Sequence, residues 1–321
     1  MTAYVLRRLA YVVPVLIGVS LLAFGVGRLA PGDPARDLLF RTTGVQPTER
    51  EVAAERHRLG LDKPLVTQYV TWVGDALRGR LGTSYATGEP VGHAIAETLP
   101  RTLELAAAAL LIAVAVAVPL GVLAAAFRWT WVDHLVRVLT LLAASMPTFW
   151  VGYLLILVFA VHLHLLPPFG TGDLSHLVLP AFTLALFDIA LLARFTRAAM
   201  LEVIGEDYVR TARAKGLSER RVLVRHVLRN ALIPVVTWTG MALGFLLGYS
   251  VVVETVFAWP GLGYTTVQAI GARDYPYIQA FALLMAVIFV TLNLIVDLLY
   301  TWIDPRVRFT RVQAVAHGAA R

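Results

Sequence analysis

Apolar positions gather in long runs free of charge. Leu9–Gly27 lies between Arg8 and Arg28, Leu105–Phe127 between Glu104 and Arg128, and Val138–Ala160 follows Arg137. Asn230–Val253 lies between Arg229 and Glu254, and Tyr275–Val296 between Asp274 and Asp297. Each run is close to the roughly 20 residues a helix needs to cross a bilayer. A sixth, Leu177–Ala199, is apolar but carries Asp188, Arg194 and Arg197. The pattern predicts six membrane-spanning helices. The first follows Arg7 and Arg8, as a signal peptide would. Its apolar stretch is too long for a signal core, and Ala30-Pro31-Gly32-Asp33-Pro34 makes a poor cleavage site, so it reads as a retained helix.

The polar stretch between the first two runs has its own periodicity. Val66, Tyr69, Val70, Val73 and Leu77 recur at helical spacing beside Trp72. Residues 48–59 read as a short charged helix, and Ser84-Tyr85-Ala86-Thr87-Gly88 as a turn. The expected organisation is a terminus and first span over 1–30, then a small external helical segment over 31–100 resting on the membrane surface. A five-helix core over 101–308 and a tail over 309–321 follow.

Composition agrees. The 321 residues are 58% hydrophobic and 15% charged, with mean hydropathy +0.70. Soluble domains are less apolar and more charged, and disorder needs the opposite balance. The fold class is therefore an all-α polytopic membrane protein. The chain has no cysteine, which excludes disulfides, a thiolate metal site and a cysteine nucleophile. The net charge is +7, but the basic residues cluster beside apolar runs. Membrane topology and anionic lipid explain that placement better than nucleic acid. The stretch Arg194–Arg229, the tail after Asp304 and the first residues are rich in arginine, whereas His162–His176 has no Lys or Arg. The positive-inside bias places both termini and the Arg194–Arg229 loop in the cytoplasm, and long loops such as 31–100 translocate regardless of charge.

That loop is the most informative segment. Glu206 and Asp207 suit a helix start, and Arg213 and Lys215 its end. Gly216 fits a left-handed position after the helix, and Ser218 can cap a second helix from Glu219. Tyr208 and Ala212 stack at i, i+4, as do Arg221, Arg225 and Arg229. Like charges at that spacing repel modestly, so anionic groups should face them. Either lipid headgroups do so, or a cytoplasmic protein grips a helix–glycine–helix knob.

The stretch Asp207-Tyr208-Val209-Arg210-Thr211-Ala212-Arg213-Ala214-Lys215-Gly216-Leu217, followed by His226-Val227-Leu228-Arg229-Asn230-Ala231-Leu232-Ile233-Pro234, resembles the cytoplasmic EAA loop of permease subunits of ATP-binding-cassette importers. It is most similar to the dipeptide/oligopeptide/nickel subfamily. Where the general motif has Glu-Ala-Ala, this chain has Arg210-Thr211-Ala212, a departure that subfamily shares. Leu29-Ala30-Pro31-Gly32-Asp33-Pro34, Glu254-Thr255-Val256-Phe257-Ala258-Trp259-Pro260-Gly261-Leu262-Gly263 and Asn293-Leu294-Ile295-Val296-Asp297, leading to Asp304-Pro305-Arg306, resemble its B-type subunit. The resemblance implies the type I importer permease fold in a bacterial inner membrane. It implies a second homologous permease subunit, two cytoplasmic ATPase subunits that bind ATP and magnesium, and an external substrate-binding protein. Tyr208, Arg210, Thr211, Ala212, Arg213, Lys215, Gly216 and Leu217 would form the coupling helix seated in an ATPase. Peptides are the expected cargo, with nickel chelates, glutathione or oligosaccharides as alternatives. The chain has no Gly-x-x-x-x-Gly-Lys-Ser/Thr phosphate loop, so hydrolysis is expected in another polypeptide. No cofactor or catalytic residue is expected in this one.

Further positions carry two readings each. Gly240, Gly244 and Gly248 recur every four residues and suit close helix packing, either within the subunit or against the partner permease near the pathway. Asp188 pairs with an arginine or lines the pathway. Glu254 meets a substrate amine or the binding protein, or stays wet at the interface. Asp297, one turn after Asn293, suggests local hydrogen bonding. His162 and His164 lack a third metal ligand nearby. Trp129, Trp131, Trp150, Trp259 and Trp302 fall near expected interfaces. A stand-alone secondary transporter would need an ion relay in the spans, for which only Asp188 and Asp297 are candidates. An intramembrane enzyme would need a facing nucleophile and base, and none stands out.

Overall fold

The computed structural model describes residues 2–29 and 32–303, and among these the side chains of all but residues 2–9, 26, 28, 29, 233, 234, 237 and 297–303. The described elements are helical, with one isolated bridge between Thr83 and Pro90. Among the described residues four helices are long and apolar enough to cross a membrane. These are α5 (Val91–Ala126), α8 (Leu174–Ile204), the Trp238–Val256 part of α11 (Arg229–Val256), and the Tyr275–Val296 part of α13 (Tyr275–Ile303). The apolar stretch Ala10–Gly25 of α1 (Thr2–Leu29) is shorter. A bent pair supplies the remaining expected segment: α6 (Trp131–Ser145), then α7 (Thr148–Leu155) continued by a π-helical stretch Ile156–His162.

The straight span expected over Val138–Ala160 is not what forms. Its helix breaks at Met146-Pro147 and turns through 106°. Proline lacks an N–H, and its ring forces the preceding residue out of the helical region. Met146 accordingly takes φ −82, ψ 134. The second span also differs, because α5 starts at Val91, well ahead of the charge-free run.

The chain divides into two units. One comprises Met1–Leu103 and Ala258–Val290. Here α2 (Pro34–Thr43) starts on an Asp33 cap with proline at its first position and stops at Gly44 in the left-handed region. A reciprocal Thr48–Glu51 capping box opens α3 (Glu49–Arg58). The short α4 (Leu65–Ala76) follows, and α12 (Leu262–Gly271) precedes α13. Val91, Ile95, Leu262, Ala269, Tyr277 and Ala280 form the core. The Asp274 carboxylate accepts from the Ser84 hydroxyl and, at 3.0 Å, from the Tyr85 N–H, which fixes the Ser84–Gly88 turn. Trp259, expected near an interface, is buried against its own chain rather than open to lipid, and its indole N–H donates to the Arg101 carbonyl at 3.0 Å.

The other unit comprises Glu104–Phe257 and Thr291–Arg321. Its centre is α8, against which α6, α7 and α11 pack. α5 approaches α8 at Gly121, where an added Cβ would lie 2.5 Å from Thr196 Cβ and 2.7 Å from the Ala193 carbonyl oxygen. No side chain fits there. Gly121→Val should therefore destabilise the fold, overpacking of this kind costing about 1–3 kcal/mol. Gly248→Ala, where an added Cβ meets nothing within 4 Å, should leave stability unchanged. Thermal denaturation of the chain purified alone in detergent checks the contrast.

Candidate functional site: the helix–glycine–helix knob

α8 ends at Ile204 with Gly205 as its cap, and the chain turns into α9 (Asp207–Ala214). Asp207 in its first turn and Arg213 in its last complement the helix dipole. Eight residues are too few to form a stable helix alone. Burial holds α9 in place. Val209 and Ala212 point into an apolar cluster with Ala125, Met200, Val222, Val227 and Ala231, and Leu217 packs at its edge.

Gly216 ends the helix at φ +78. The Leu217 N–H donates to the Ala212 carbonyl at 3.4 Å and the Gly216 N–H to Arg213 at 2.9 Å. This is the paired closure of a Schellman motif. An added Cβ at Gly216 meets nothing within 4 Å, so the demand for glycine here is conformational rather than steric. Ser218 occupies the cap position of α10 (Glu219–Arg221) but makes no side-chain cap bond. The turn is instead clamped by a bidentate pair. Arg213 donates from Nε and a terminal nitrogen to the two Glu219 carboxylate oxygens at 3.0 and 2.7 Å. The hydrogen bonds from Arg213 hold the Glu219 carboxyl below its ordinary range, and those to Glu219 raise the Arg213 guanidinium. Because the Glu219 value is depressed, the pair contributes fully above the ordinary carboxylate range and is lost as pH falls through the depressed value.

Tyr208 is partly exposed and ties α9 to the chain beyond the glycine. Its hydroxyl accepts from Asn230 Nδ2 at 2.8 Å and donates to the His226 carbonyl at 3.5 Å. Asn230 Nδ2 donates to the same carbonyl at 2.9 Å. Residues Val222–Leu228 between them are π-helical, so Arg221, Arg225 and Arg229 do not follow the α register assumed for them, although all three are exposed.

The outward surface of the knob is thus Asp207, Arg210, Thr211, Ala214, Lys215 and Gly216, all exposed. Among these, Arg210 pairs with Asp207 at 3.2 Å. Of the residues expected to touch a partner, Ala212 faces inward and Arg213 is engaged by Glu219. Periodicity gives a helix its faces but not which one the core takes, and Val209 decides that here.

The expected pathway residues lie on two helices, α8 and α11, and differ in exposure. Asp188 is 7% exposed within α8, and no described residue bonds to it. Glu254, expected to meet a substrate amine or the binding protein or to stay wet at the interface, is fully buried in α11. Gly240 packs inside the chain, its added Cβ 3.1 Å from Val296 Cγ2, whereas Gly244 is half-buried and Gly248 exposed. The Asp297 and Trp302 side chains lie outside the described residues. Among the described residues no group of three His, Cys, Asp or Glu could hold a metal.

Sequence reasoning missed one buried ion pair. Arg197 grips Asp133 bidentately at 2.7 and 2.8 Å, and the Asp133 side chain is wholly buried. The Trp129 N–H adds a 3.1 Å bond to that carboxylate. The pair joins the start of α6 to the last third of α8, the helix that leads into the knob. A signal existed: Asp133 is the only acidic residue between Glu104 and Asp173.

Comparison with known proteins gives the family. Residues 117–309 match the model of the binding-protein-dependent transport system inner membrane component. Residues 1–106 match the N-terminal model of the same kind of transport component. The chain belongs to this family of inner-membrane transport components. It is a multi-pass permease subunit of an ATP-binding-cassette importer, whose ATPase activity resides in separate subunits. It is 43% identical to a di/tripeptide transport system permease protein of Pseudomonas aeruginosa, over 97% of this chain and 100% of that one. It is 45% identical to a putative peptide transport system permease of Brucella abortus, over 96% and 100%. It is 43% identical to a glutathione transport system permease of Salmonella paratyphi A, over 96% and 100%. The fold is like that of a solved chain of the inward-facing MetNI methionine transporter, with TM-score 0.58 and 20% identity over 67% of this chain and 99% of that one.

The inward and outward faces of α9 should respond differently to added volume. Ala212→Leu should cost about 1–3 kcal/mol of stability through overpacking, whereas Ala214→Leu should leave the melting temperature unchanged. Thermal denaturation of the two purified variants reads the difference.

Proposed function

We propose that this chain forms, with a second homologous permease subunit, the membrane pathway of an ATP-driven importer of di- and oligopeptides. An external binding protein delivers the cargo. The observation that carries the reading is full-length similarity above 40% to permeases of di/tripeptide and peptide transport systems. The glutathione permease relative fits the same class, since glutathione is itself a tripeptide.

The knob supplies the mechanical part. Both termini and the knob lie in the cytoplasm, because the basic residues concentrate there. The outward face of α9, with Arg210, Thr211, Ala214 and the exposed turn at Lys215-Gly216, seats in a groove on an ATPase subunit. Tyr208, Ala212, Arg213 and Leu217 hold that face in shape from behind. Two ATPase subunits bind ATP and magnesium, and their closure moves the permease pair between inward- and outward-facing states. ATP can shift that balance only by its difference in affinity for the two states. A knob that yielded would dissipate the difference.

Residues 31–100 form an external helical segment, 101–308 the core and 309–321 a cytoplasmic tail. Gly244 and Gly248 face the pathway or the second permease, while Gly240 packs within the chain. Asp188 and Glu254 remain pathway candidates that a change of state would have to uncover.

The test uses the assembled transporter in liposomes with its binding protein. Arg210→Glu combined with Ala214→Trp, both on the outward face, should leave the chain in the membrane. Retained ATPase subunits should fall by about tenfold or more, the equivalent of roughly 1.4 kcal/mol, and ATP-dependent peptide uptake should fall with them. Gly216→Val, which forces a branched residue into the left-handed region at about 1–2 kcal/mol, should reduce coupled uptake while membrane insertion persists. Normal uptake in both variants, or peptide movement by the purified chain without ATPase subunits, refutes the assignment.

A further inference from the structure

α4 presents three distinct surfaces. Tyr69 and Trp72 turn towards α1, where the Tyr69 hydroxyl meets the Ser20 hydroxyl at 2.7 Å. Both rings pack on Phe24, with centroids 5.5 and 6.1 Å away. Gln68 and Asp75 lie on another side, and Gln68 Nε2 donates to the carbonyls of Leu61 and Lys63 in the loop before the helix. Opposite Gln68, Val66, Val70 and Leu77 form one stripe left open by the described residues, 74%, 61% and 84% exposed. An apolar stripe this open in water is unfavourable, and its position says what covers it.

The depth can be read from α1. Gly27, at the end of the charge-free run, packs against Gln279 and Tyr275. Those residues lie in the first turns of α13, whose apolar stretch starts at Tyr275, next to Asp274. Two spans thus mark the same level as the edge of the apolar layer. Ser20 lies seven residues further into α1, about 10 Å deeper at 1.5 Å per residue. A helix that hydrogen-bonds at Ser20 and stacks on Phe24 sits below that edge. Leu21 and Leu22, at the same level of α1, are exposed apolar residues.

We infer that α4 is sunk into the bilayer as an interfacial helix, with Val66, Val70 and Leu77 in contact with lipid acyl chains. The occupant of the stripe is hydrocarbon, because the stripe lies opposite the face that carries Gln68 and Asp75 and at the depth of a span. Amphipathic helices of this kind bury their apolar face several ångströms into the boundary between headgroups and chains. Tyr69 and Trp72, whose rings have a polar tip on an apolar body, suit the same zone. The Ser20 hydroxyl already donates to the Ile17 carbonyl at 2.8 Å, so its bond with Tyr69 satisfies the Tyr69 hydroxyl, which lipid could not.

The absence of cysteine makes an introduced thiol unique in this chain. Val66→Cys, Val70→Cys and, as an aqueous control, Lys63→Cys would be made in the assembled transporter in native membranes. Thiolate formation is suppressed in hydrocarbon, so the first two should react with a membrane-impermeant maleimide at least about tenfold more slowly than the control. A nitroxide attached at either site should collide with oxygen and be shielded from an aqueous nickel chelate. Reaction at the control's rate overturns the inference by placing the stripe in water. Shielding from both reagents overturns it in favour of a covering protein, as does protection that arises only when the binding protein is added.

Discussion

An eight-residue helix cannot stand by its own hydrogen bonds, and much of the knob's architecture answers that constraint. α9 exists because Val209 and Ala212 are buried in a cluster shared with the end of α8 and the segment that leads into α11. The apolar contact fixes which way the helix faces. The Schellman closure at Gly216 and the Arg213–Glu219 clamp fix where it stops. What remains outside is a small surface whose position is determined by two membrane helices. The same order of causes, burial first and polar fastening second, recurs at Trp259, where a buried ring finds a carbonyl for its N–H.

The knob is joined to the membrane part of its unit by α8, which is held by two fastenings within one turn. Gly121 lets α5 come within backbone contact at Ala193 and Thr196, and Arg197 beside them grips Asp133 at the start of α6. A charge pair in that position is costly to desolvate and more costly to break, because the surviving charge would be left buried. It restricts α6 and α8 to moving together where they meet. The break at Met146-Pro147 supplies the opposite property, a place where the helical hydrogen-bond ladder is interrupted and direction changes.

The spans were legible because lipid imposes length and excludes charge, and both leave marks in a single sequence. Gly216 was legible because a left-handed residue after a helix favours one side chain above others. Asp133 and Arg197 were not, since they are 64 residues apart and nothing local links them. The inward turn of Ala212 was hidden because alanine suits either face. Met146-Pro147 lies inside a run that reads as continuous by composition, and hydropathy carries no information about direction. The burial of Glu254 was hidden for a related reason: the end of an apolar run does not mark the end of burial.

The clamp between Arg213 and Glu219 has a consequence for how a partner would recognise the knob. From Glu206 to Glu219 the acidic residues Glu206, Asp207 and Glu219 balance the basic residues Arg210, Arg213 and Lys215. Two of the basic ones are already neutralised by neighbours within the segment. The stretch itself is therefore near neutral, and the charge that mobile ions would screen over about 8–10 Å lies just beyond it, in the exposed Arg220, Arg221, Arg225 and Arg229. A partner seated on the stretch alone would be selected by contour, whereas one that also reached those arginines would feel the ionic strength of the cell.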